Sequence, residues 1–144
     1  MTRYQPSHAG ICVRDLGRAL RFYCDGLGFE RDDGFELDST VAPGLERALE
    51  ARGEVAITSQ FIAKDGMRIE LLHYRDREPT GSPSQTRTQL GLTHLCFVVD
   101  DVDAAAERLL EYGALVLDST RSNPGTDIVF VMDPDRVRVE LMRG

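Results

Sequence analysis

Apolar positions along this chain recur with two periods that alternate along its length. From residue 94 to 99 successive side chains take opposite faces of a strand, so His94, Cys96 and Val98 share one face and Leu95, Phe97 and Val99 the other. The period then lengthens. Val102, Ala105, Ala106, Leu109 and Leu110 form a stripe at helical spacing, with Asp101 or Asp103 as N-cap and Gly113 as the stop. The same order of events opens the chain: His8 begins a strand, Asp15 precedes a helix carried by Leu16, Ala19, Leu20 and Tyr23, and Gly26 and Gly28 end it. Each helix is followed by strand-rich sequence broken by Gly, Pro and Asp, so each half reads βαβββ.

The halves are copies of one plan. The segment from His8 to Ala19 aligns without gaps on that from His94 to Ala105, placing Asp15 over Asp101, and the register carries Tyr23 onto Leu109. A second match sets Asp65 to Leu72 on Asp135 to Met142. Each half therefore opens on a histidine and closes on a glutamate, Glu70 or Glu140. The expected fold is α+β, two βαβββ modules whose curved mixed sheets surround a metal-binding trough. It forms one domain over residues 1–144, with module one at about 5–74, a linker at about 75–91 and module two at about 92–144. Two segments break the symmetry: residues 38–54, with a short helical stretch from Leu45 to Ala51, and the Pro/Ser/Thr/Gly-rich connector 75–91. Either can cover a pocket.

Strand parity assigns directions to the polar residues. Ile69 and Leu71, like Val139 and Leu141, belong to the helix-covered face, which leaves Glu70 and Glu140 pointing the other way with His8 and His94. Two repeats related by approximate two-fold symmetry bring both His/Glu pairs around one axis. Two neutral imidazoles and two carboxylates neutralise a divalent cation, and the cation offsets the cost of two carboxylates in a partly dry cavity. Nitrogen and oxygen ligation of this kind suits Zn, Ni, Co, Mn or Fe(II). A lone histidine or glutamate at a strand end is ordinary surface; its repetition at matched positions is what points to a site.

Composition narrows the partners. With 17 basic and 24 acidic side chains the net charge is −7 and no basic stripe stands out, which argues against nucleic acid. No apolar run reaches the roughly 20 residues of a membrane span, and Met1 to Ser7 hold no signal-type stretch. Three scattered cysteines, at 12, 24 and 96, fit a reducing cytoplasm. A homodimer is expected, because sheets of this type have edges that benefit from a partner.

Several motifs together resemble one family. His8 with residues 13–16 (Val-Arg-Asp-Leu), the run Phe22 to Phe29, Ile69 to Leu72, Leu92 to Val102, Asp133 to Asp135, and Val139 to Leu141 look like the glyoxalase/bleomycin-resistance/extradiol-dioxygenase (vicinal oxygen chelate) superfamily. The resemblance implies paired βαβββ modules with metal ligands on the first and last strand of each, here His8, Glu70, His94 and Glu140. In ligand set the chain is most similar to glyoxalase I. Where bacterial glyoxalases carry an Arg and an Asn for glutathione, this sequence has Cys12 and Tyr74. Methylmalonyl-CoA epimerases share the style of residues 94–101 but usually have Gln where Glu70 stands.

What the resemblance implies is proton-transfer isomerisation or lyase chemistry next to a carbonyl or thioester of a small molecule, with Glu140 as general base and Glu70 as second base or pure ligand. The competing expectations are an antibiotic-binding protein without turnover and an extradiol-type dioxygenase. Cys96 is expected to line the pocket as a small apolar residue, with Cys12 its near counterpart. His73 falls on the opposite strand face, and Tyr74, Arg75 and Arg121 read as solvated surface.

Overall fold

The computed structural model describes residues 1–122 and 127–144. Each half of the chain builds a four-stranded mixed sheet, as the repeat predicts. The first holds β1 (Ala9–Cys12), β2 (Glu30–Asp38), β3 (Ala56–Lys64) and β4 (Met67–Tyr74) in the order β1-β4-β3-β2. The second holds β5 (Leu95–Val99), β6 (Leu115–Leu117), β7 (Ile128–Met132) and β8 (Arg138–Arg143) in the order β5-β8-β7-β6. In both, the first and last strands of the half lie side by side and parallel, and every other pairing is antiparallel. That adjacency is what brings residues some 60 or 45 positions apart in sequence into one place.

The helices are α1 (Leu16–Leu20), α2 (Leu45–Ala48) and α3 (Val102–Leu110). α1 runs on as a wider π-helical stretch, Arg21–Gly26, in which the Leu27 N–H donates to the Phe22 carbonyl at 3.0 Å. α2 is shorter than the seven residues its sequence suggested. Of the two candidate caps for α3, Asp101 is the one used: its side chain accepts from the Ala104 N–H at 3.0 Å, while Asp103 pairs with Arg121. Gly28, at φ 81°, turns the chain after the first helical segment. Gly26 serves close approach instead, since a Cβ there would lie 3.1 Å from Leu109 and 3.3 Å from Tyr112.

Two compact units emerge, one of residues 1–16 and 28–79, the other of residues 17–27 and 80–144. In the first, Ile62, Ile69 and Leu71 are fully buried under the sheet. In the second, Phe22 and Tyr23 are fully buried along with Val129, Val131, Val139 and Leu141. Arg21 donates to the Glu111 carbonyl and Arg108 to that of Asp25, tying residues 17–27 to α3 within this unit. Strand parity is as read from the sequence, with Ile69, Leu71, Val139 and Leu141 inward and the glutamates between them on the other face. Among the described residues no helix is long and apolar enough to cross a membrane.

Candidate functional site

His8 stands immediately before β1, two residues ahead of Gly10, and Gly10 is the register partner of Glu70 on parallel β4. The imidazole and the carboxylate therefore share one face and one level. His8 Nε2 lies 3.0 Å from Glu70 Oε2. In the second unit Cys96 is the register partner of Glu140, His94 again precedes by two, and His94 Nε2 lies 2.9 Å from Glu140 Oε2. All four side chains are a third exposed or less, the glutamates at 20% and 15%.

Each imidazole is also held at its other nitrogen. Ser7 Oγ lies 2.9 Å from His8 Nδ1, and Thr93 Oγ1 lies 2.8 Å from His94 Nδ1. A hydroxyl suits this place because it can donate or accept. With Nε2–H given to the carboxylate, Nδ1 accepts the hydroxyl proton; with Nε2 on a cation, Nδ1–H donates to the hydroxyl oxygen. A phenylalanine completes each pair. Phe61, opposite Glu70 on β3, meets the His8 ring edge-on at 4.9 Å, and Phe130, opposite Glu140 on β7, meets His94 at 5.3 Å. The hydroxyls and the phenylalanines were not singled out in the sequence, although Ser7 and Thr93 sit at matched positions of the repeat.

The two pairs differ in how the carboxylate is braced. Ser59 Oγ, fully buried, donates to Glu70 Oε1 at 2.8 Å, so both oxygens of Glu70 are tied. The position matching Ser59 on β7 is Ile128, because Ser59 pairs with Leu72 and Ile128 with Met142. Glu140 has instead the Cys96 thiol, whose ionisation is pushed up by burial and then by the adjacent carboxylate, so it stays a weak S–H donor. Cys96 thus does more than line the face as a small apolar residue.

Among the described residues no three His, Cys, Asp or Glu side chains gather as a metal-holding group; the four sequence-predicted residues come together as two pairs. Each pair fits half of a cation's ligand set. Nitrogen and oxygen donors about 2.1 Å from one ion and at right angles stand about 3.0 Å apart, which is the separation seen in both. The other sequence candidates are engaged elsewhere. His73 Nδ1 faces the Val13 carbonyl at 3.4 Å, Arg75 reaches Thr58 Oγ1 at 3.2 Å and Glu36 at 3.8 Å, and Arg121 binds Asp118 at 2.9 Å as well as Asp103. Burial and then Cys12 push the Tyr74 phenol up, and Glu70 adds to the shift. The three cysteines are free thiols.

The family model described as the Glyoxalase/Bleomycin resistance protein/Dioxygenase superfamily matches residues 5–141. The chain belongs to that superfamily. Among superfamily relatives, the lactoylglutathione lyase of Schizosaccharomyces pombe is 25% identical over 99% of this chain, which spans only 48% of that protein's length. The Escherichia coli protein YaeR, itself uncharacterized, is 32% identical over 95% of this chain and 94% of its own. An ethylmalonyl-CoA/methylmalonyl-CoA epimerase of Cereibacter sphaeroides is 32% identical over 78% of this chain and 74% of its own. Among solved structures, a glyoxalase family protein of Bacillus cereus superposes with a TM-score of 0.78 at 17% identity, covering 99% of this chain and 95% of its own. That likeness shows the shared superfamily fold.

Proposed function

We propose that His8, Glu70, His94 and Glu140 hold one divalent cation (zinc, nickel, cobalt, manganese or iron(II)) and that the chain moves a proton on a carbon next to the carbonyl or thioester of a small molecule. The observation that carries this reading is the doubled His–Glu pair, each with its imidazole fixed at Nδ1 and its donors about one cis-ligand spacing apart. Two donors alone hold a cation poorly, and four of this kind are an ordinary set. The relatives named as a lactoylglutathione lyase and a methylmalonyl-CoA epimerase support the choice of chemistry.

Such an ion supplies Lewis-acid stabilisation of the oxygen charge that develops as the C–H proton leaves. The protein groups do the rest. His8 and His94 keep fixed orientations through Ser7 and Thr93, and Glu70, tied at both oxygens, stays where it is. Glu140, braced among the described residues by His94 and a thiol alone, is the carboxylate free to turn toward substrate, accept the proton and return it to the neighbouring carbon or the opposite face. A homodimer is the working assembly in this reading, supported by the edge strands β1, β2, β5 and β6 at which the sheets end.

Metal analysis of the purified chain tests the tetrad: one ion per chain is expected, and His8→Ala and His94→Ala should each empty the site. Retention of full metal by either variant overturns it. The chemistry is read by solvent-deuterium exchange at the carbon next to the thioester of lactoylglutathione and of methylmalonyl-CoA. Glu140→Gln should keep much of its metal and lose exchange; unchanged exchange removes Glu140 from the base role.

A further inference from the structure

We infer that Arg87 and Arg138 form an anion subsite beside the His94–Glu140 pair, selecting a substrate that carries a carboxylate or phosphate group. The inference names the substrate class of the reaction proposed above and rests on that reading only for what happens after binding. Arg138 lies on β8 two residues before Glu140, hence on the same face of the sheet. Arg87 comes from the connector and sets its guanidinium 5.5 Å from the centre of the Phe130 ring, which in turn packs edge-on against His94. Both cations thus stand next to the proposed ligands within one unit.

Neither arginine has a carboxylate among the described residues. Arg87 donates to the Ser84 carbonyl at 2.8 Å and to Ser84 Oγ at 3.3 Å, and its Nε is buried with no hydrogen-bond partner among the described residues. Arg138 donates to the Arg136 carbonyl at 3.0 Å and the Gln85 carbonyl at 3.4 Å. All of these acceptors are neutral, and the two cations repel each other. Burial and then Arg138 push the Arg87 guanidinium below its usual range. In a chain of net charge −7, acids to neutralise such a pair are plentiful, yet among the described residues none pairs with either arginine.

The first unit shows the neutralised form of the same arrangement. Arg68, two residues before Glu70, lies 3.9 Å above the Phe61 ring, and its Nε donates to Asp32 Oδ2 at 3.1 Å. The repeat matches Arg68 with Arg138, whereas the arginine over Phe130 is Arg87 from the connector; an arginine thus stands over the phenylalanine of each His–Glu pair, with a carboxylate partner in the first unit and, among the described residues, none in the second. A planar guanidinium with a free Nε–H is suited to grip a carboxylate or phosphate with two parallel hydrogen bonds.

Nuclear magnetic resonance of the arginine Nε–H groups in the full chain, stripped of metal by chelation, tests the subsite with inorganic phosphate and, separately, malonate. A saturable shift of the Arg87 Nε–H is expected with at least one. Binding should weaken about tenfold or more in Arg138→Gln, the cost of a hydrogen bond to a charged group. Phosphate alone identifies a phosphorylated substrate and malonate alone a carboxylate. An unmoved Arg87 signal, equal shifts at exposed Arg31, or unchanged affinity in Arg138→Gln overturns the inference; Arg87→Lys, which keeps the charge but not the Nε–H, serves as a second variant. Anion binding is read here without metal and deuterium exchange is read separately on the metal-loaded chain, so binding here with no exchange there would sink the isomerase reading and leave the subsite standing, and the reverse result would do the opposite.

Discussion

Tyr23 donates its hydroxyl proton to Asp133 Oδ2 at 2.7 Å, and both side chains are buried. The other oxygen, Oδ1, accepts from the backbone N–H groups of Asp135 and Val137, each at 2.8 Å. One carboxylate thus closes the turn between β7 and β8 and fixes the helical segment that follows α1. The Phe22-Tyr23 and Asp133-Pro134 motifs are a structural brace in the second unit. Tyr23→Phe should therefore lower unfolding free energy by about 1–3 kcal/mol, seen as a lower melting temperature. Metal content should stay at the wild-type level.

Asp133 also gives the fold a pH signature. Burial raises it above its ordinary value of 3.8, against the lowering pull of Tyr23 and of the Val137 and Asp135 N–H groups. The folded chain consequently holds this proton to a higher pH than the unfolded chain does. Its contribution to stability is fully present below 3.8 and is lost as pH rises through the folded value. Denaturant titrations at stepped pH should show wild type losing ground to Asp133→Asn as pH rises through that window. A difference that stays flat would remove Asp133 as the source.

Much of this arrangement was legible in the sequence because period-two parity is a local property. Ile69, Leu71, Val139 and Leu141 declared the covered face, and Glu70 and Glu140 followed from it. The brace on Glu70 was not legible, since it depends on hairpin register. β3 and β4 join through the two-residue turn Asp65-Gly66, at φ 46° and 86°, whereas β7 and β8 join through residues 133–137. Phe61 and Phe130 consequently stand nine and ten residues before their glutamates, and gap-free alignment hides their equivalence. Arg87 had no address at all, because a connector of that composition carries no periodic signal.

The hydroxyls at His8 and His94 make a second-layer prediction about metal. Ser7→Ala and Thr93→Val each leave an imidazole free to rotate and to take the other tautomer. Metal affinity, measured by competition with a chelator, should fall roughly 10- to 100-fold in either variant. Thermal stability of the metal-free chain should barely change, as both hydroxyls are exposed. Metal affinity unchanged from wild type in both variants would mean that the strands alone orient the rings.

The unequal bracing of the two glutamates can be reversed. Ser59 ties Glu70 through Oε1, and Ile128 occupies the matching place beside Glu140. Ile128→Ser should offer Glu140 the same second hydrogen bond, holding it in its ligand position and resisting the turn toward substrate that proton transfer requires. Deuterium exchange should then slow while metal content is retained, a split that simple unfolding does not produce. Ser59→Ala should act the other way, leaving Glu140 untouched and loosening Glu70, so that metal affinity falls with little loss of exchange at saturating metal. If both variants exchange deuterium at the wild-type rate, the division of labour between the two carboxylates does not arise from these hydrogen bonds.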